Sequence, residues 1–107
     1  AAPEAPERVV LSSRTRTALK IRWVPPDLCG EEIVAYEVRM CRASQGPHGE
    51  FVEESSWETV HETSKQKDTS WKAGKLSPGQ HYGFCVRAVN KKGPGAFSIP
   101  AFYSTAA

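Results

Sequence analysis

The stretch Leu76-Ser77-Pro78-Gly79-Gln80-His81-Tyr82-Gly83-Phe84-Cys85-Val86-Arg87-Ala88-Val89-Asn90, followed by Gly93-Pro94-Gly95, restricts the fold of this chain more than any other part of it. A Pro-Gly turn anchored by Leu76 gives way to alternation, with Tyr82, Phe84, Val86 and Ala88 on one side and Gly83, Cys85 and Arg87 on the other. That period predicts a half-buried strand, Tyr82 to Asn90, held between two turns. Tyr82 follows Gly79 closely enough to fold its hydroxyl back onto the Pro-Gly turn, the tyrosine corner of β-sandwiches. Such a feature points to a fold and not to a chemistry, because one fold hosts many unrelated functions.

The rest of the chain repeats the same period. At 107 residues it has the length of one domain with one core. Val9 to Leu11 predicts a first strand after a linker-like start at Pro3 and Pro6. Ala18 to Val24 predicts a second, with Leu19, Ile21 and Trp23 inward, ended by Pro25-Pro26 because proline cannot continue a ladder. Ile33 to Cys41 predicts a third, with Tyr36, Val38 and Met40 inward and Glu37, Arg39 and Cys41 outward. Ser44 to Gly49 reads as a turn-rich insertion. Trp57 to His61 predicts a fourth strand with Trp57 at the core edge, and Thr69 to Ala73 a fifth with Trp71 and Ala73 inward. Phe97 to Tyr103 supplies a seventh, which Pro100 forces to an edge or a bulge. Seven short strands separated by turn signals describe an all-β antiparallel sandwich.

Three groups of residues carry a resemblance over about residues 6–105: Trp23 in Leu19-Lys20-Ile21-Arg22-Trp23-Val24-Pro25-Pro26, Tyr36 in Ile33-Val34-Ala35-Tyr36-Glu37-Val38, and the run from Leu76 through Tyr82 to Asn90 and Gly93. In their order and spacing they resemble a fibronectin type III domain. The resemblance implies a seven-stranded immunoglobulin-like sandwich, strands A, B and E on strands C′, C, F and G, with Trp23 between the layers against Tyr36 and Leu76. Burial of Trp23, Tyr36, Trp71, Leu76 and Phe84 would stabilise the core by roughly 1.5–3 kcal/mol each. Tyr82 is the corner residue. The chain reads as a single domain, 1–107, cut from a larger multidomain protein.

Chemistry is sparse. His48, His61 and His81 are not spaced for a metal, the three cysteines lack zinc-knuckle spacing, and Gly93-Pro94-Gly95 opens no helix that would cradle a phosphate. No catalysis and no cofactor is expected. The basic run Arg14, Arg16, Lys20, Arg22 lacks interleaved aromatics, and the pI of about 8.5 is below that of a dedicated nucleic-acid binder. The integrin-binding members of the family carry Arg-Gly-Asp in the loop after strand F, whereas here it reads Asn90-Lys91-Lys92-Gly93-Pro94-Gly95. The Trp-Ser-x-Trp-Ser element of cytokine receptors is also absent, replaced by Phe97-Ser98-Ile99-Pro100-Ala101.

The expected function is therefore that of a non-catalytic protein-interaction or spacer module, in a scaffold or cytoskeleton-associated protein. The alternatives are the ectodomain of an adhesion protein or receptor, and a domain appended to an enzyme. Partners are proteins, with no nucleic acid and no direct membrane contact, and the isolated domain is expected to be a monomer. Three cysteines, an odd number, and an Asn90 outside any glycosylation sequon lean towards an intracellular compartment, with an extracellular one as the alternative. The expected partner surface is outward Arg39 and Arg87 together with Lys91 and Lys92, beside Glu37 and Cys85. Cys41 and Cys85 are expected as outward, reduced thiols.

Overall fold

The computed structural model describes residues 2–26, 31–65 and 67–107. Among these, nine strands form: β1 Val10–Arg14, β2 Leu19–Arg22, β3 Ile33–Gln45, β4 Phe51–Glu53, β5 Glu58–Glu62, β6 Ser70–Ala73, β7 His81–Asn90, β8 Gly93–Pro94 and β9 Ala101–Ser104. β1, β2 and β6 make one antiparallel sheet; β4 and β5 both pair β3, which pairs β7, which pairs β8 and β9, to make the other. The chain is all-β and folds as an antiparallel sandwich.

The long β3–β7 ladder is the spine, running from Ile33 opposite Asn90 to Ala43 opposite His81. Side chains on one face of this ladder close on Leu19 and Ile21 of the small sheet. Leu19, Ile21, Trp23, Tyr36, Val38, Leu76, Tyr82, Phe84, Val86 and Ala88 belong to one buried cluster. Trp23 meets Tyr36 edge-on, with ring centroids 5.5 Å apart, a geometry that adds about 0.5–1.5 kcal/mol to the burial itself. The Ser77 N–H donates to Tyr82 Oη at 2.9 Å, and Gly79 takes a positive φ of 65° that a side chain would strain. The tyrosine corner is thus formed by the turn that the sequence places before it.

Several expectations are corrected. Trp71 faces inward opposite Ile21 but is only partly buried; it lies at the seam between the sheets and stacks on His61 at 5.4 Å. The first strand lies later, from Val10 to Arg14, and Pro3 and Pro6 are buried on the body and do not form a free linker. Pro3 packs so closely on Gly95 that a Cβ there would meet its carbonyl. The turn-rich insertion is the tip of a hairpin: β3 extends to Gln45 and β4 returns at Phe51, a strand absent from the seven expected. The seventh strand, expected from Phe97 to Tyr103, is present only as β9 from Ala101 onward, and the short β8 at Gly93–Pro94 precedes it. Between them Gly95 and Ser98 donate their N–H groups to Ala88 and Val86 carbonyls, and Ser98 Oγ accepts from the Val86 N–H at 2.9 Å. A hydroxyl thereby replaces a ladder acceptor beside Pro100. Gly30 and Cys29 lie outside the described residues.

Candidate functional site

The outer face of the large sheet holds the expected partner residues, and its two ends differ. Opposite pairs on the ladder place Glu37 beside Arg87 and Arg39 beside Cys85. Arg87 is not free: its Nε donates to Glu37 Oε2 at 2.6 Å, and the ion pair is partly buried. Arg39 and Arg87 both sit over the Phe97 ring, their guanidinium carbons 4.4 and 4.6 Å from its centroid. Cation–π contacts of this kind are worth about 0.5–2 kcal/mol and hold both side chains in place. Lys91 and Lys92 are exposed at the β7–β8 turn, where the Lys92 N–H donates to Asn90 Oδ1 at 2.8 Å. The expected quartet therefore divides. Arg39 and Arg87 form a stacked shelf with one charge neutralised, and Lys91 and Lys92 are exposed cations at the neighbouring turn.

At the other end an aromatic cover lies on small residues. Gly83 is buried; a Cβ on it would meet Phe102 and Trp57 at 2.8 Å and Cys41 Sγ at 3.0 Å. The missing side chain is what lets both rings lie down on the sheet. Phe51 stacks on Phe102 at 4.7 Å with an interplanar angle of 9°, and Trp57 Nε1 donates to Glu53 Oε1. Trp57 is thus on the outer face, not at the core edge. Cys41 and Cys85, expected to face outward, do so and are nonetheless buried, Cys41 beneath this cover. Both are free thiols. Register explains why they do not pair: Cys41 is opposite Gly83 and Cys85 opposite Arg39, so the two are diagonal neighbours, about 7–8 Å apart, beyond the Cα reach of a disulfide at about 4.4–6.8 Å. Burial pushes the Cys41 thiol up, and pushes Cys85 up to about 11 although Arg39 pulls the other way. A raised thiol holds less of the reactive thiolate.

Among the described residues no group of His, Cys, Asp and Glu is arranged to hold a metal ion, and no helix is long and apolar enough to cross a membrane. Sequence reasoning missed the Phe97 shelf and the aromatic cover. Phe97 belongs to the irregular segment before Pro100, and Phe51 follows a turn-rich tip, so neither sits in a periodic run. The one signal was Gly83, a glycine inside a strong strand, which marks close approach of another group.

Residues 4–103 match the fibronectin type III domain. The chain is 30% identical over 91 residues to the human protein named cell adhesion molecule-related/down-regulated by oncogenes, covering 85% of this chain and 6% of that protein. It is 30% identical over 98 residues to chicken ephrin type-A receptor 5, covering 92% of this chain and 8% of the receptor. The structure of titin kinase and its flanking domains aligns with a TM-score of 0.75 at 25% identity, over 97% of this chain and 17% of that one. The chain thus spans less than a tenth of the length of these two relatives, and the module occurs in adhesion-related proteins, receptors and kinase-containing proteins. Two sheets closed over Trp23 and Tyr36, a formed tyrosine corner and a match along nearly the whole length agree: the chain belongs to the fibronectin type III family.

Proposed function

We propose that this domain is a non-catalytic strut in a multidomain protein, holding its neighbours at a fixed separation and offering one face to protein partners. The observation that carries the reading is the fixing of the chain at the two ends of β7. Pro3 is buried against Gly95, which bonds to Ala88 near the end of that strand. Ala106 donates to the Thr15 carbonyl and accepts from the Gly79 N–H, just before the strand begins. Thr105 Oγ1 donates to the Ser77 carbonyl at 2.6 Å, fastening the last residues to the tyrosine-corner turn. Both ends of the body thus meet the chain through built contacts, and the long axis is 43 Å. A scaffold or cytoskeleton-associated parent is the first reading of the whole protein. Likeness to the adhesion-related protein supports the second reading, an adhesion ectodomain.

The partner-facing surface is Lys91 and Lys92 together with the Arg39 and Arg87 shelf on Phe97. A direct join of two copies tests the strut. Small-angle scattering of this tandem is expected to give a maximum dimension near twice the 43 Å axis, with little interdomain disorder. A compact or broadly distributed tandem overturns the reading.

A further inference from the structure

The outer face of the small sheet carries charges that its own packing does not use. Leu19 and Ile21 of β2 are buried while Lys20 and Arg22, alternating with them, are exposed. Lys20 lies directly opposite Lys72 of β6, and Arg22 opposite Ser70 of β6 and Val10 of β1. Two like charges directly opposite each other on adjacent strands oppose folding. Lys72 alone would be an ordinary guard for an edge strand. Lys20 is on the central strand of its sheet, where no edge needs guarding. Among the described residues no carboxylate forms an ion pair with Lys20, Arg22 or Lys72. The remaining outward positions, Ser13, Ser70 and exposed Val10, are small or uncharged, so the face is level and unobstructed.

We propose that this face binds an extended acidic protein segment lying along β2, with carboxylates at alternate residues. Spacing is the argument. Lys20 and Arg22 are two residues apart on one strand, about 6.8 Å, which is the separation of alternate side chains on any extended peptide laid over them. Lys72 doubles the positive charge at the Lys20 position. A segment with Asp or Glu at alternate positions places one carboxylate between Lys20 and Lys72 and the next on Arg22, where the guanidinium accepts bidentate pairing. Binding removes the Lys20–Lys72 repulsion at the moment the carboxylate arrives. Among the described residues no aromatic side chain lies on this face to stack a base, which favours a peptide over a single-stranded nucleic acid.

The test uses the domain with a dye-labelled peptide of alternating Glu and Thr, about ten residues, long enough to run past the strand. Its comparison is a peptide of the same composition with all Glu at one end. Anisotropy at about 50 mM salt, where surface charges are weakly screened, reads the affinity. The alternating peptide is expected to bind several-fold more tightly than the blocked one. Lys20→Glu with Lys72→Glu is expected to weaken it about tenfold or more, a change of 1.4 kcal/mol or larger, whereas Arg8→Glu with Arg42→Glu, the same change in charge at two exposed positions outside this face, leaves it within twofold. Lys20→Gln with Lys72→Gln is expected to lose the peptide and to raise the melting temperature, because the repulsion is gone. Equal affinity for the two peptides, equal loss from the two reversals, or tighter binding of an oligothymidine or a sulfated polysaccharide of matched charge would each overturn the proposal.

Discussion

Tyr82 shows how a single side chain carries the fold. Its ring belongs to the core cluster while its oxygen accepts from the Ser77 N–H at 2.9 Å, so one residue joins the packing of β7 to the turn that precedes it. Tyr82→Phe keeps the ring and leaves the Ser77 N–H without its acceptor, and is expected to lower stability by about 1–3 kcal/mol without unfolding the domain. Urea denaturation checks it, through a lower midpoint at unchanged slope. Residues of this kind were legible in the sequence. Tyr82, Tyr36, Trp23 and Leu76 sit in periodic runs or beside turn signals, and their burial follows from the alternation. Cys41 and Cys85 were not legible. Their outward direction was right, since each lies on the face opposite Val38 and Val86, yet both are buried, Cys41 beside Phe102 and Trp57, residues distant in sequence. Alternation gives the direction of a side chain; what covers it depends on the tertiary fold.

Among the elements, the strands with strict period two, β2, β6 and β7, lie close to where the pattern puts them. The last strand shows the limit. Pro100 correctly marks an interruption, but nothing in the composition of residues 95–100 reveals that a serine hydroxyl restores the missing acceptor. Ser98 is buried, accepts from the Val86 N–H through Oγ and donates its own N–H to the Val86 carbonyl. Ser98→Ala deprives a buried N–H of its partner, an expected loss of about 1–3 kcal/mol. Amide exchange of Val86 should accelerate strongly while that of Val38, directly opposite on β3, changes only with global stability. Similar reasoning accounts for the candidate partner surface. The expected cluster Arg39, Arg87, Lys91 and Lys92 assumed independent cations, but Phe97 gathers the two arginines and Glu37 neutralises one. A contact from an irregular segment decides which charges are available.

For the molecule as a whole, the two sheets form a body of 43 × 25 × 19 Å in which the chain is fastened at both ends of β7. Its two broad faces differ in use. The large sheet is covered by aromatics at one end and by the arginine shelf at the other, while the small sheet presents Lys20, Arg22 and Lys72 bare. A strut needs fixed ends more than it needs any one surface. Pulsed dipolar spectroscopy on the domain, with nitroxides attached by non-cysteine chemistry at Glu4 and Ala107 so that Cys41 and Cys85 stay untouched, measures this directly. A single narrow distance distribution, unchanged on moderate heating below the unfolding transition, is the predicted result. A broad or bimodal distribution would show that Pro3 or Ala106 leaves its contacts in the native state and would contradict the account.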